Sequence, residues 1–192
     1  MSIDETKAPP YRWYILGLAM LTNVLASAMP GMCMPVLFDQ ISADLHLSLV
    51  EVGFIWGISS LPGIATALLG GAIGDRFGPR RVLILACLLV GLTGALRGLA
   101  VDFFTLALTM FLFGMFTPFI TLNGFKTCGL WFPSRQMGLA SGVLSMGMAL
   151  GFLLSSMLSA TILSPLLGGW RSVLFLYGGV AALLAIPWAL TR

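Results

Sequence analysis

The chain is 192 residues long, 58% hydrophobic and only 9% charged, with a mean hydropathy of +1.01. Soluble domains carry about 25% charged residues, so a water-soluble fold is excluded and an integral membrane protein is expected. The formal net charge of +3 gives no sign of nucleic-acid binding, and Cys33, Cys87 and Cys128 all fall in apolar runs, which argues against a disulfide framework.

A spanning helix needs about 20 apolar residues, so the length accommodates about six spans with short connections and leaves no space for a folded soluble domain. Residues 1–11 are polar with a Pro9-Pro10 break and are expected to form a short cytoplasmic tail, leaving 12–192 as an all-α membrane bundle. The first span is expected over 13–37. Ala26-Ser27-Ala28 within it mimics a signal-peptidase site, but Asp4 and Glu5 dilute the basic leader and apolar residues continue through Phe38, which favours a retained helix. A loop from Asp39 to Leu49, containing His46, leads to the second span at 50–73, and the others are expected at 82–99, 103–131, 137–163 and 170–190. Small residues recur at helical spacing in the second span (Gly63, Ala67, Gly71) and the fifth (Gly138, Gly142, then Gly147, Gly151, Ser155, Ser159), and predict close helix approach or self-association there.

Orientation follows from the basic residues, because translocation discriminates against positive loops. With the amino terminus inside, Lys7, Arg12, Arg76, Arg80, Arg81, Arg135 and Arg192 lie on the inner side and only Arg97 and Arg171 on the outer. Both ends are therefore expected in the cytoplasm. Arg97 and Arg171 read as interfacial residues that snorkel or enforce topology. Prolines 30, 35, 62, 118 and 187 fall inside spans and read either as static kinks or as breaks that serve moving helices.

Lys126 is the most informative single charge, since it sits in an apolar span with Thr117, Thr121, Asn123 and Thr127. A lysine at the bilayer centre costs roughly 3 kcal/mol on insertion scales. It lies about 35 Å beyond Phe103 along a helix, near the inner interface. Two readings stand: snorkelling or an ion pair with Asp75, and an anion-attracting group at the inner mouth of a solute pathway.

The stretch Gly71-x-Ile73-Gly74-Asp75-Arg76-x-Gly78-x-Arg80-Arg81 resembles the signature of the loop between the second and third helices of the major facilitator superfamily, and Gly169-Trp170-Arg171 is similar to the opening of that family's sixth helix. Asn123-x-x-Lys126-Thr127-x-x-x-Trp131-Phe132-Pro133 is similar to the branch containing cyanate and related anion transporters. The resemblance covers nearly the whole chain but only half of a twelve-helix fold. It implies the amino-terminal six-helix half of a secondary transporter, moving a small polar or anionic solute by alternating access. It implies a conformational latch at Gly71, Asp75, Arg76, Gly78, Arg80 and Arg81, and solute contacts among Asn23, Thr117, Thr121, Asn123 and Lys126, on helices that line family cavities. Arg76, Arg80 and Arg81 could equally serve topology alone, and the amide and hydroxyl groups could simply bond neighbouring helices. The expected partners are the solute, the lipid bilayer, and a second six-helix half or a second copy. The rival reading is a truncated or non-transporting interaction subunit that keeps the half-bundle. An enzyme is disfavoured because no nucleophile–base pair or metal-ligand cluster occurs at membrane depth, and no cofactor or metal is expected.

Overall fold

The computed structural model describes residues 11–191, and among them every regular element is helical. Six helices are long and apolar enough to cross a bilayer. They are α1 (Tyr11–Leu45), α2 (Leu49–Phe77), α3 (Pro79–Leu99), α4 (Phe103–Trp131), α5 (Ser134–Leu167) and α6 (Trp170–Leu190). The expected tail lies outside the described residues except for Tyr11, which already belongs to α1.

Several expected boundaries are corrected. The first helix does not stop at residue 37 but runs to Leu45, so most of the predicted loop is helical. Leaving the hydrocarbon does not end a helix; a break in backbone conformation does. Here it comes at His46, in the left-handed region at φ 53°, whose N–H bonds the Ser42 carbonyl. The second helix likewise runs past residue 73 to Phe77, which puts Gly74, Asp75 and Arg76 inside it rather than in a loop. The hairpin is reduced to Gly78, whose φ of 84° only glycine adopts without strain, and Pro79 then opens α3 with its ring already set for a helix. The fifth helix extends beyond the expected 137–163 at both ends.

Capping explains two starts. The Ser48 hydroxyl accepts from the Glu51 amide, and Glu51 accepts from the Ser48 N–H at 2.8 Å. At α4 the Asp102 carboxylate accepts from the Thr105 amide at 2.8 Å while Thr105 Oγ1 accepts from the Asp102 N–H at 3.1 Å.

The prolines leave distinct traces. A proline ring clashes with the carbonyl four residues earlier, and α1 answers Pro30 with a widened π-helical stretch at Asn23–Ala28. The same occurs at Ser159–Leu163, ahead of Pro165. Pro187 follows a break at Leu184. Pro35, Pro62 and Pro118 sit inside continuous helix.

Helices alternate in direction, so one end of the bundle gathers Gly78, Trp131 and Trp188 and the other gathers Asp44, Ala100 and Arg171. α2 packs most extensively on α4, α3 lies between α4 and α6, and α1 packs on α5 and α6. At the α3–α6 crossing, Gly91 and Gly178 face each other so closely that a Cβ on Gly178 would lie 2.6 Å from the Ala95 nitrogen. The small-residue stripes are largely used inside the bundle. Gly147 and Gly151 pack against Met20, Val24 and Ala28 of α1, and Gly63 faces Gly114 and Pro118 of α4, whereas a Cβ added at Gly71, Gly138 or Gly142 would meet nothing within 4 Å. The outward surface carries Leu85, Leu92, Phe104, Leu108, Leu153 and Met157, each mostly exposed. Such a surface suits lipid, and the chain is a multi-pass integral membrane protein.

Candidate functional site

At the Gly78 end, α2 and α4 meet in a seam built from the predicted residues. Lys126 of α4 forms an ion pair with Asp75 of α2 at 2.7 Å and also donates to the Gly71 carbonyl. One turn earlier on α4, the buried Asn123 donates to the Phe119 carbonyl at 2.9 Å and reaches toward that of Gly70 at 3.5 Å. The helices come this close because Gly74 has no side chain; a methyl there would collide with Asn123 Oδ1. Asp75 remains 77% exposed, so its carboxylate faces outward from the bundle even while paired.

The basic residues of the hairpin lie beside this seam rather than in it. Arg80 donates to the carbonyls of Trp188 and Ala189, at 3.1 and 2.7 Å, which places a cation against the carboxy-terminal end of α6, where the helix dipole is negative. Arg76 lies over the Phe77 ring, 5.6 Å from its centroid. Arg76, Arg80 and Arg81 border a cavity of about 760 Å³ with Trp131 and Trp188.

A second cavity, of about 310 Å³, opens midway along the bundle between α1, α2 and α4 and is lined in part by Ser27, Ser59, Thr117, Thr121 and Met148. Ser27 Oγ and Thr121 Oγ1 share a hydrogen bond of 3.4 Å on its wall, between α1 and α4. The predicted solute contacts therefore divide. Thr117 and Thr121 line this cavity. Asn23 does not: it is fully buried against Gly124 at the α1–α4 contact, with Nδ2 on the Ala19 carbonyl at 3.0 Å. Asn123 and Lys126 belong to the α2–α4 seam, and of the two weighed readings of Lys126 the ion pair with Asp75 is the one observed.

Arg97 is the residue that sequence reasoning misplaced. It is not interfacial but fully buried, in the last turn of α3, and it lines the cavity with Met110 and Phe113 of α4. Its Nε donates to Gly94 and its Nη1 to the Pro30 carbonyl at 3.0 Å, and its guanidinium stands over the Phe113 ring, 3.8 Å from the centroid. Side chains on a helix tilt toward its amino terminus, so an arginine in a final turn points back into the span. Arg171, in the first turn of α6, points the other way. It forms an exposed ion pair with Asp44 and bonds the Ala100 carbonyl at 3.1 Å.

Residues 16–192 match the family model described as the Major Facilitator Superfamily. The chain is 27% identical to the Bacillus subtilis protein named Probable galactarate/D-glucarate transporter GudP, over 96% of this chain and 41% of that one. It is 30% identical to the Thermus thermophilus protein named Probable nitrate/nitrite antiporter NarK1, over 93% and 42%. It is 25% identical to the Cupriavidus necator protein named Probable sulfoacetate transporter SauU, over 73% and 32%. The chain thus spans less than half the length of these relatives. Its fold is similar to that of a bacterial homologue of the human lysosomal transporter Spinster, solved in an inward-facing and occupied conformation, with a TM-score of 0.79 at 21% identity over 97% of this chain and 45% of that one. With the motif of α2 and α3, the six-helix architecture and the family match in agreement, this chain belongs to the Major Facilitator Superfamily.

Proposed function

We propose that this chain forms the amino-terminal half of a secondary transporter that moves a small polar or anionic solute by alternating access across the cytoplasmic membrane, with both termini cytoplasmic. The observation that carries this reading is the cavity at mid-span, a mainly apolar concave surface on which Ser27, Thr117 and Thr121 place a few hydroxyls, the make-up of a small-solute site. Such a wall is half of a pathway, so a second six-helix half, or a second copy, completes it. The solutes named for GudP, NarK1 and SauU, galactarate and D-glucarate, nitrate and nitrite, and sulfoacetate, are anions, which supports the solute class.

In this reading Thr117 and Thr121 contact the solute, while Asn23, Asn123 and Lys126 hold the helices that present them. Gly71, Asp75, Arg76, Gly78, Arg80 and Arg81 act as the latch. The exposed Asp75 carboxylate, held in place by Lys126, is available to a helix end of the opposing half in one conformation and is released in the other. The test is uptake of radiolabelled glucarate, gluconate and nitrate into proteoliposomes reconstituted with the product of the whole reading frame. Saturable accumulation of at least one anion is expected; folded protein that accumulates none of them, nor any neutral solute, contradicts the reading.

A further inference from the structure

Arg97 carries a charge that the bundle leaves unanswered. Among the described residues no carboxylate lies within ion-pair distance of it. A guanidinium has five N–H donors, and the contacts present are Gly94 for Nε and, for Nη1, Pro30 with the Met110 sulfur at 3.8 Å. Nη2 is buried with no partner at all. Arginine keeps its charge when buried, and a buried unpaired charge carries a large desolvation cost that a face of Phe113 offsets only in part. In a low-dielectric wall such a charge also acts over a longer range than it would in water.

Its place in the cavity gives that charge a direction. Along α4 the wall runs from Met110 and Phe113 beside Arg97 to Thr117 and Thr121, about 12 Å from Phe113 to Thr121 at the helical rise. One end of the cavity is therefore cationic and the other is lined with hydroxyls.

We propose that Arg97 is the charge-selecting residue of the solute site. It supplies the counter-charge for the carboxylate of a small hydroxylated organic acid, whose uncharged body lies along Thr117, Thr121 and Ser27. This rests on the solute-pathway reading above and deepens it, because it assigns both the sign of the solute and the end at which its charge sits. A carboxylate placed at that end neutralises the buried cation; a neutral polyol does not.

The test is equilibrium binding to the purified product of the whole reading frame in nanodiscs, with gluconate as the probe and sorbitol as its uncharged counterpart, read by quenching of the cavity residue Trp56 and by thermal stabilisation. Wild-type protein is expected to bind gluconate at least tenfold more tightly than sorbitol. Arg97→Gln should abolish that preference, and Arg97→Lys, which keeps the charge but loses the fork, should retain part of it. Gluconate binding by Arg97→Gln within twofold of wild type overturns the assignment of Arg97 while leaving the pathway standing. Equal wild-type affinities for gluconate and sorbitol overturn the charge selection and need no variant. Binding of neither probe by folded wild-type chain counts against both the pathway reading and the role of Arg97.

Discussion

The seam between α2 and α4 yields a prediction that can be worked from distances. In Gly74→Ala the new methyl would overlap Asn123 Oδ1 and lie 3.2 Å from Asn123 Cγ and 3.5 Å from the Lys126 Cδ. Asn123 is fully buried and tied to the Phe119 carbonyl, so it has little freedom to yield. Overpacking of this kind costs about 1–3 kcal/mol. Asn123→Ala alone loses the hydrogen bond to Phe119 and the longer one to Gly70, about 1–2 kcal/mol, and part of that is recovered because Oδ1 is buried without a partner. In the double variant the colliding atom is gone, so its destabilisation should fall short of the sum of the singles by about 1–2 kcal/mol, well outside the error of about 0.5 kcal/mol expected for independent sites. Cys33, Cys87 and Cys128 are free and buried, so a thiol-reactive fluorophore reports unfolding in detergent for all four proteins. Additive effects, or a Gly74→Ala variant as stable as wild type, would refute the seam as described.

Gly178→Ala should destabilise by about 1–3 kcal/mol through the α3–α6 crossing, whereas Gly179→Ala, which meets nothing, should be neutral or stabilising by up to about 1 kcal/mol; equal melting temperatures for the two would contradict the crossing. Hydrogen bonds from Thr105 hold the Asp102 carboxyl below its ordinary value of 3.8. A depressed carboxyl stabilises the fold above its unfolded value and loses that contribution as pH falls through the folded one, so melting of wild type should drop more steeply below pH 3.8 than that of Asp102→Asn, which keeps the cap without the titration. A cysteine at Phe77 should react with a membrane-impermeant thiol reagent in inverted vesicles but not in intact cells; labelling from outside would reverse the proposed topology.

The number, order and approximate centres of the spans were legible because hydropathy reports which solvent a segment meets. Their ends were not, because helix ends are set by capping and backbone conformation, and Asp39–Leu45 is polar yet helical. The division of the site residues follows from helix geometry. Thr117 and Thr121 are four apart and share a face, while Asn123, two residues further on, must point away from it. Asn23 and Ser27 are also four apart and both face α4, one against Gly124 and the other, a turn along, against Thr121 beside the cavity. Arg97 reads as interfacial from its place at the end of a span, although a side chain in a last turn points back toward the helix amino terminus. Its bond to Pro30 and its stacking on Phe113 depend on how α1 and α4 dock, which no local pattern encodes.

Transport by this chain requires that the cavity lined by Thr117 and Thr121 be a water-accessible wall of a solute pathway. Its most direct test is Thr121→Cys in a background whose native cysteines are replaced, treated with a small charged thiol reagent from each side of the membrane with and without gluconate. Reaction from at least one side, slowed by gluconate but not by sorbitol, is the predicted result. A cysteine at Thr121 that stays unreactive from both sides, in protein that is folded and inserted, would contradict it.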